Sequence, residues 1–292
     1  MSISIVAIGA SAGGLEAISE LLAALPPGGD MAYVLVQHLD PAHESLLPEL
    51  LAKKTTMPVV QVRDNLDVQA GHVYVIPPNA TLTVVGQNFR LTRRPSGGGL
   101  HLPIDTLFAS LAMEHGSAAI GVVLSGGNFD GTRGVRAIKQ AGGIVYAQTP
   151  ESARFPSMPR SAIETGCVDF VLRPEQIAQS LAQLDRHPYL QAATTQEALE
   201  AASDDPLAPD DEECLRRLFR RLRTAHGVDF SHYKRSTLRR RLARRMALRN
   251  VINLADYVTV LEGDAVEATG LFQDFLIRVT GFFRDPQSFE GL

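Results

Sequence analysis

The apolar run Ile3–Ile8 is followed directly by Gly9-Ala10-Ser11-Ala12-Gly13, which reads G-x-S-x-G. This pattern is typical of a nucleophilic serine on a strand-to-helix turn, because the flanking glycines permit a sharp bend that leaves the hydroxyl exposed. A phosphate-binding loop is the alternative, although the G-x-G-x-x-G spacing of dinucleotide-binding loops is not matched. Hydrolysis also requires a base and an acid elsewhere in the chain.

His38 and Asp130 are the candidates for this base and this acid. His38 directly follows the apolar run Ala32–Gln37, and Asp130 lies in a glycine-rich loop after the run Ala118–Leu124. Because the carboxyl ends of parallel strands meet at one edge of a sheet, we expect both side chains near Ser11, completing a Ser-His-Asp triad. The chain order Ser, His, Asp differs from the Ser, Asp, His order of α/β-hydrolases and argues against that fold.

These residues must be positioned by an alternation of apolar runs and helix-length segments that extends to about Leu184. The runs are continuously apolar, as in strands buried on both faces, which predicts a doubly wound α/β fold with a mainly parallel sheet. The predicted strands are Ile3–Ile8, Ala32–Gln37, Val59–Val62, His72–Ile76, Ala118–Leu124, Ile144–Gln148 and Phe170–Leu172. The predicted helices are Leu15–Ala24, Ser45–Lys53, Ile104–Glu114 and Thr132–Ala141, and an attached hairpin is predicted for Thr81–Val85 with Phe89–Thr92.

A change in composition predicts three segments, 1–190, 191–210 and 211–292. The middle segment is rich in Ala, Thr, Ser, Pro and acidic residues, as is typical of a linker. The last segment contains no strand-length β-branched run, so a small all-α domain is predicted. Roughly half of the lysines and arginines lie between Arg216 and Arg249, a density compatible with nucleic-acid binding or with a solvated basic face.

The bulk composition indicates a soluble globular protein. Apolar residues make up 45% of the chain, enough to form a core, but no run is long enough to cross a bilayer, so no membrane insertion is expected. Cys167 and Cys214 are far apart and have no metal-ligand spacing, so neither a metal site nor a disulfide framework is predicted. This cysteine usage is typical of the reducing cytoplasm.

A set of short motifs occurs in order along residues 1–185: Gly9–Gly14, Gln37–Pro41, Val75–Asn79, Leu124–Thr132 and Ser157–Ile163. Together they resemble the catalytic domain of the chemotaxis protein-glutamate methylesterase family. The resemblance implies that Ser11 is the nucleophile, His38 the base and Asp130 the acid. It also implies an oxyanion hole formed by the backbone N–H groups of Ala12 and Gly127.

The reaction implied by this resemblance is hydrolysis of a glutamate γ-methyl ester on the cytoplasmic helices of a methylated chemoreceptor, without a cofactor. Deamidation of glutamine is a second reaction of the family. One position departs from the family pattern: Phe129 stands directly before Asp130, where Asn or Ser is usual. We expect this bulky side chain to reshape the loop, and a receptor-binding scaffold with little catalytic activity is the alternative function.

Residues 211–292 resemble the N-terminal helical domain of the chemoreceptor methyltransferase, through the segments Gly227–Lys234, Thr237–Met246 and Val279–Pro286. The resemblance implies that Thr280 and Arg284 contact S-adenosylmethionine. It also implies that an arginine-rich helix faces the acidic receptor, and its members are Arg239, Arg240, Arg241, Arg244 and Arg245. Because no α/β domain follows in this sequence, methyl transfer is not expected and S-adenosylmethionine should bind weakly. A receptor partner is favoured over nucleic acid.

Overall fold

The structure is a computed structural model that describes residues 3–38, 45–94, 100–193 and 209–276. The chain divides into two compact units, Met1–Gln196 and Glu197–Leu292. The division falls within the predicted linker 191–210, of which residues 194–208 lie outside the described part. In the described part, no helix is both long enough and apolar enough to span a membrane.

The first unit alternates strands and helices along the chain. Its strands are β1 (Ser4–Ala10), β2 (Met31–Gln37), β3 (Val59–Gln61), β4 (Val73–Val75), β5 (Ala80–Val85), β6 (Asn88–Arg93), β7 (Ile120–Val123), β8 (Ile144–Gln148) and β9 (Phe170–Leu172). Its helices are α1 (Gly14–Ala24), α2 (Leu47–Ala52), α3 (Pro103–His115), α4 (Thr132–Ala141), α5 (Ser157–Glu164), α6 (Pro174–Asp185) and α7 (Pro188–Ala193), with a 3₁₀ turn at Gly116–Ala118.

Seven strands form one sheet in the order β3-β4-β2-β1-β7-β8-β9, and every neighbouring pair is parallel. The predicted doubly wound α/β fold is therefore confirmed. The chain builds the sheet outward from β1 through β2 and then returns to the other side of β1 with β7. This reversal of direction is the topological switch point at which α/β proteins usually bind their ligands.

The pairing register brings the ends of the three central strands level with one another. Ala10 of β1 pairs with Gln37 of β2, and Gly9 pairs with Val123 of β7. The residues that follow these three strands therefore emerge at one edge of the sheet. Ser11, His38 and the loop that contains Asp130 are placed there by the backbone alone.

The predicted hairpin forms from β5 and β6, but it makes its own two-stranded sheet. It is attached to the domain through α3, since the Ser110 hydroxyl of α3 accepts a hydrogen bond from the Val84 N–H at 3.1 Å. Leu82, Val84 and Phe89 of the hairpin are buried in the same core as α3. Helix α3 is consequently held on both sides, by the hairpin and by the main sheet.

The second unit consists of four helices in the described residues: α8 (Pro209–His226), α9 (Arg235–Leu248), α10 (Leu254–Gly263) and α11 (Ala265–Leu276). They enclose a separate apolar core in which Leu218, Phe230, Leu261 and Leu271 are fully buried. The all-α prediction for this part of the chain is confirmed.

Candidate active site

Ser11 lies on a tight turn between β1 and α1. Gly13 precedes α1 with φ +69°, a left-handed conformation that a residue with a side chain rarely adopts. The turn is closed by a hydrogen bond from the Gly14 N–H to the Ser11 carbonyl at 2.9 Å. Ser11 is therefore held at the carboxyl end of β1, beside the first turn of a helix.

The loop after β7 is hydrogen-bonded to this serine turn through Ser125. The Ser125 carbonyl accepts the Ser11 N–H at 2.9 Å, and the Ser125 hydroxyl donates to the Ala12 carbonyl at 2.9 Å. The same hydroxyl accepts the Phe155 N–H at 3.0 Å, and the side chain of Gln148 accepts the Ser125 N–H at 2.8 Å. Because Ser125 is almost fully buried, these bonds fix the relative position of the two loops.

The His38 imidazole bridges Ser11 and Asp130. Its Nδ1 lies 3.0 Å from the Ser11 hydroxyl oxygen, and its Nε2 lies 2.8 Å from Asp130 Oδ2. A carboxylate can only accept, so Nε2 carries the proton and Nδ1 presents a lone pair to the serine. The predicted residues are thus joined into one hydrogen-bonded chain that can accept the serine proton.

Asp130 is 1% exposed and is held by the first turn of α3. Its Oδ2 accepts the Ile104 N–H at 3.0 Å, and its Oδ1 accepts the Asp105 N–H at 2.9 Å. Helix N-termini stabilise negative charge, because their N–H groups have no partner inside the helix. The α3 terminus therefore both orients Asp130 and stabilises its charge next to His38.

The N–H groups predicted for the oxyanion hole, those of Ala12 and Gly127, belong to the two loops joined by Ser125. Gly127 faces open space, since a Cβ at this position would have no atom within 4 Å. Neither N–H donates a hydrogen bond to any other residue that the structure describes. Both are available to a negatively charged oxygen that forms next to Ser11.

Phe129 leaves the contacts of Asp130 in place. Its side chain is 46% exposed, whereas the adjacent Asp130 is buried and fully hydrogen-bonded. The preceding Asn128 has φ +65°, which asparagine tolerates better than most residues. The expected reshaping of this loop therefore does not reach the acid.

Two cavities flank His38. An open cleft of about 480 Å³ contains Ser11, Gln37 and Arg154, and a smaller polar cavity of about 210 Å³ lies on the side of Asn79 and His101. Burial, followed by the nearby charge of Arg94, lowers the pKa of His101. The reacting group of a substrate can reach Ser11 through the larger cleft.

Sequence reasoning missed Arg154 and Ser125 as residues of this site. Arg154 lines the cleft and pairs with Glu16 at 3.0 Å, with both side chains more than 60% exposed. Such an exposed pair is weak, so the guanidinium can exchange Glu16 for a substrate carboxylate. Ser125 lay within a recognised motif, but only the fold reveals its hydrogen bonds. Within the described residues, no cluster of three or more His, Cys, Asp or Glu side chains could hold a metal ion.

The arginines of α9 do not form the single exposed face that was expected. Arg241 and Arg244 are 7% and 3% exposed, and the side chain of Arg245 is mostly buried. Arg244 pairs with Asp274 at 2.7 Å, Arg241 donates to the Asp274 carbonyl, and Arg245 pairs with Glu267. This corrects the predicted receptor-facing role for these three residues, because the carboxylates of Asp274 and Glu267 and the Asp274 backbone carbonyl hold them inside the helical unit. Arg239 and Arg240 are half-buried.

Glu267 is the centre of this network. It is fully buried and accepts hydrogen bonds from Arg245 at 2.9 Å, Arg249 at 2.5 Å and the Tyr257 hydroxyl at 2.6 Å. Burial would raise the pKa of Glu267, but the hydrogen bonds and charges of the arginines outweigh burial and lower that pKa. Since folding lowers the pKa, this stabilisation is present above the usual glutamate pKa and is lost as the pH falls through the folded value.

Replacing Glu267 by Gln is expected to destabilise the helical unit by about 3–5 kcal/mol, because the buried Arg245 guanidinium loses its nearest counter-charge, whereas the more exposed Arg249 keeps Asp264. Hydrogen–deuterium exchange of the α9–α11 amides in the whole chain measures this change. Glu262→Gln is the matched control, since Glu262 pairs with Arg217 on the surface and its loss should have little effect. Equal hydrogen-exchange protection in Glu267→Gln and Glu262→Gln would contradict the central role of Glu267.

The predicted contacts of Thr280 and Arg284 with S-adenosylmethionine lie outside the described residues. Binding of this cofactor stays a prediction.

Comparison with known proteins identifies relatives of both units. The family model described as CheB methylesterase matches residues 6–181, and the model described as CheR methyltransferase, all-alpha domain, matches residues 213–276. The crystal structure of the Thermotoga maritima CheB methylesterase catalytic domain is similar to the first unit. Its TM-score is 0.57 at 29% identity, covering 63% of this chain and all of that one.

Two curated proteins illustrate the range of relatives. A putative protein-glutamate methylesterase/protein-glutamine glutaminase of Leptospira interrogans is 33% identical over 64% of this chain and 97% of its own length. An uncharacterized 104.1 kDa protein encoded in the hypE 3′ region of Rhodobacter capsulatus is 42% identical over 84% of this chain. The chain spans only 27% of the length of that larger relative.

Proposed function

The chain belongs to the CheB methylesterase family, and we propose that its first unit is a serine hydrolase that demethylates glutamate γ-methyl esters of chemoreceptors. The observation that carries this proposal is the continuous path from the Ser11 hydroxyl through His38 to Asp130, with distances of 3.0 and 2.8 Å. A serine, its base and its acid at the switch point of a parallel sheet support acyl transfer.

In the first half of the reaction, the Ser11 oxygen attacks the ester carbonyl while His38 Nδ1 takes the serine proton. Asp130 stabilises the resulting imidazolium through Nε2, and the backbone N–H groups of Ala12 and Gly127 stabilise the oxyanion. The tetrahedral intermediate then collapses with cleavage of the bond to the methoxy oxygen. His38 returns its proton to that oxygen, so methanol leaves and a glutamyl ester of Ser11 remains.

The second half repeats these steps with water as the nucleophile. His38 removes a proton from a water molecule that attacks the acyl-enzyme, and then protonates the Ser11 oxygen as it departs. The products are free Ser11 and a glutamate carboxylate. The same sequence applied to a glutamine side chain releases ammonia, which agrees with the double activity in the name of the Leptospira relative.

An acidic residue of a receptor helix could replace Glu16 as the partner of Arg154, since both of these exposed side chains line the cleft. We propose that the helical unit also contacts the receptor, with Arg239 and Arg240 as the remaining candidates from α9. The pairing of Arg244 and Arg245 with acidic side chains of α11, and the bond from Arg241 to the Asp274 carbonyl, weigh against nucleic-acid binding through this helix.

The proposal is tested by incubating the purified chain with membranes that carry a receptor labelled with tritium in its methyl esters. Volatile radioactive methanol should accumulate over many turnovers, and the Ser11→Ala variant serves as the blank. Methanol release no faster than in this blank, with receptors methylated at several sites, would contradict a methylesterase function.

A further inference from the structure

Helices α3 and α4 both begin without a capping side chain of their own. The residue before α3 is Leu102, whose side chain is apolar, and the residue before α4 is Gly131, which has no side chain. A helix that begins in a protein interior needs partners for its first N–H groups. Each of these two helix starts finds its acceptor in a residue at the start of the other helix.

Asp130 supplies the cap of α3. Pro103, the first residue of α3, has no N–H, and the next two N–H groups, of Ile104 and Asp105, both donate to the Asp130 carboxylate. Asp130 stands immediately before Gly131 and the start of α4. The proposed acid of the triad is thus also the residue that ties the start of α4 to the start of α3.

Asp105 of α3 in turn caps the start of α4. Its Oδ1 accepts the N–H of Gly134, in the first turn of α4, at 2.8 Å, and its side chain is buried. Its other oxygen, Oδ2, is buried without a hydrogen-bond partner among the described residues. The helices touch directly at this point, because a Cβ on Gly134 would clash with the Cβ of Phe108.

This arrangement places two carboxylates close together in a buried region. The pKa of Asp105 is raised, because burial and the charge of Asp130 outweigh the opposing effect of the N–H groups of Gly134, Arg133 and Gly131. Two neighbouring buried acids oppose folding unless each is held by helix N–H groups. Because each acid caps the helix to which the other is attached, both carboxylates accept helix N–H groups.

We propose that Asp105 is a positioning residue for the reaction: its bond to the Gly134 N–H holds the start of α4 against α3 and thereby keeps Asp130 in contact with His38. The inference rests on the proposed function, since it assumes that Ser11, His38 and Asp130 react as a unit. Asp105 itself makes no hydrogen bond to His38 or Ser11.

The test measures how fast Ser11 is labelled by a fluorophosphonate, which requires the triad but no receptor. Asp105→Ala removes the acceptor of the Gly134 N–H and should lower the labelling rate by about 10–100-fold, as expected for a displacement near 1 Å. Asp105→Asn should stay close to the wild-type rate. An amide oxygen can still accept that N–H, and the NH₂ group replaces an oxygen without a partner.

A second readout is the downfield proton resonance of the His38 Nε2–H. It should be present in the wild-type chain and in Asp105→Asn and weakened in Asp105→Ala. His38→Gln identifies the signal. A merely structural role for Asp105 would reduce the amount of folded protein without changing this resonance in the folded fraction.

Asp169→Asn is the matched control, because Asp169 is another buried acid that accepts a backbone N–H, that of Val145, and pairs with Lys139 away from the site. Labelling of Asp105→Ala at the wild-type rate, or a loss no larger than in Asp169→Asn, would overturn the proposal. If Asp105→Ala does not fold, Asp105→Ser takes its place. The serine side chain is one bond shorter than that of aspartate, so its hydroxyl does not reach the Gly134 N–H, and the labelling rate must fall by the same factor.

These outcomes separate the two proposals. A wild-type chain that labels normally but releases no methanol contradicts the receptor substrate and leaves the role of Asp105 to be judged by its variants. A wild-type chain that labels no faster than Ser11→Ala overturns both.

Discussion

Replacing Ser11 by alanine is expected to lower the turnover number for methanol release on the order of 10⁶-fold, the size of effect known for loss of a triad serine. No other hydroxyl lies within hydrogen-bonding distance of His38 among the described residues. The fold should not change, because the Ser11 side chain bonds only to His38 there and its N–H remains bound to Ser125. Methanol release and thermal unfolding, measured on the same preparation, check both statements.

Ser19→Ala is the matched control for this substitution. Ser19 is also a serine of the β1–α1 region, but its hydroxyl donates to the Leu15 carbonyl within α1, at 2.6 Å. Activity should therefore be unchanged. A Ser11→Ala variant that keeps activity within a few-fold of the wild type would show that the reaction does not use this serine.

Replacing Asp130 by asparagine should lower the turnover number by about 10⁴-fold and leave KM nearly unchanged, because Asp130 orients the base without touching the substrate. The carboxylate uses both oxygens as acceptors, for His38 and Ile104 on Oδ2 and for Asp105 on Oδ1. Asparagine has one acceptor oxygen. Its NH₂ group must face either His38 Nε2, which favours the wrong tautomer, or a buried N–H donor.

The same substitution should destabilise the first unit by about 1–3 kcal/mol, the cost of leaving a buried donor without a partner. Asp169→Asn controls for stability, since it also replaces a buried acid but lies away from Ser11. Turnover numbers are compared at a temperature where both variants are folded by circular dichroism. A folded Asp130→Asn variant with more than a small fraction of wild-type turnover would contradict the assigned role.

Much of the first unit could be predicted from local sequence. Each predicted strand corresponds to an observed one, because continuous apolar runs such as Ile3–Ile8 can be buried only between two layers of helices. Helices α5 and α6 were not predicted. Helix α5 is short and contains Pro159, so its amphipathic pattern is short. Helix α6 does carry a helical pattern, with Pro174 at its start and buried residues at Ile177, Leu181 and Leu184.

The second unit shows where sequence reasoning fails. The arginines of α9 have the composition of a basic binding surface, and no local pattern distinguishes a guanidinium that faces solvent from one that pairs inside the protein. The partners Glu267 and Asp274 lie more than 20 residues further along the chain. Only the packing of α11 on α9 determines that Arg244 and Arg245 are internal.

The sequence by itself determined the positions of the strands along the chain, the turn at Ser11 and the three residue types of the triad, because hydrophobic runs, glycines and strand ends act over short distances. The tertiary structure decided the contacts that make these residues a site. Parallel pairing of β1 with β2 and β7 brings Ser11, His38 and Asp130 within hydrogen-bonding distance. The meeting of two helix N-termini then fixes the acid, since buried N–H groups must find acceptors wherever the fold supplies them.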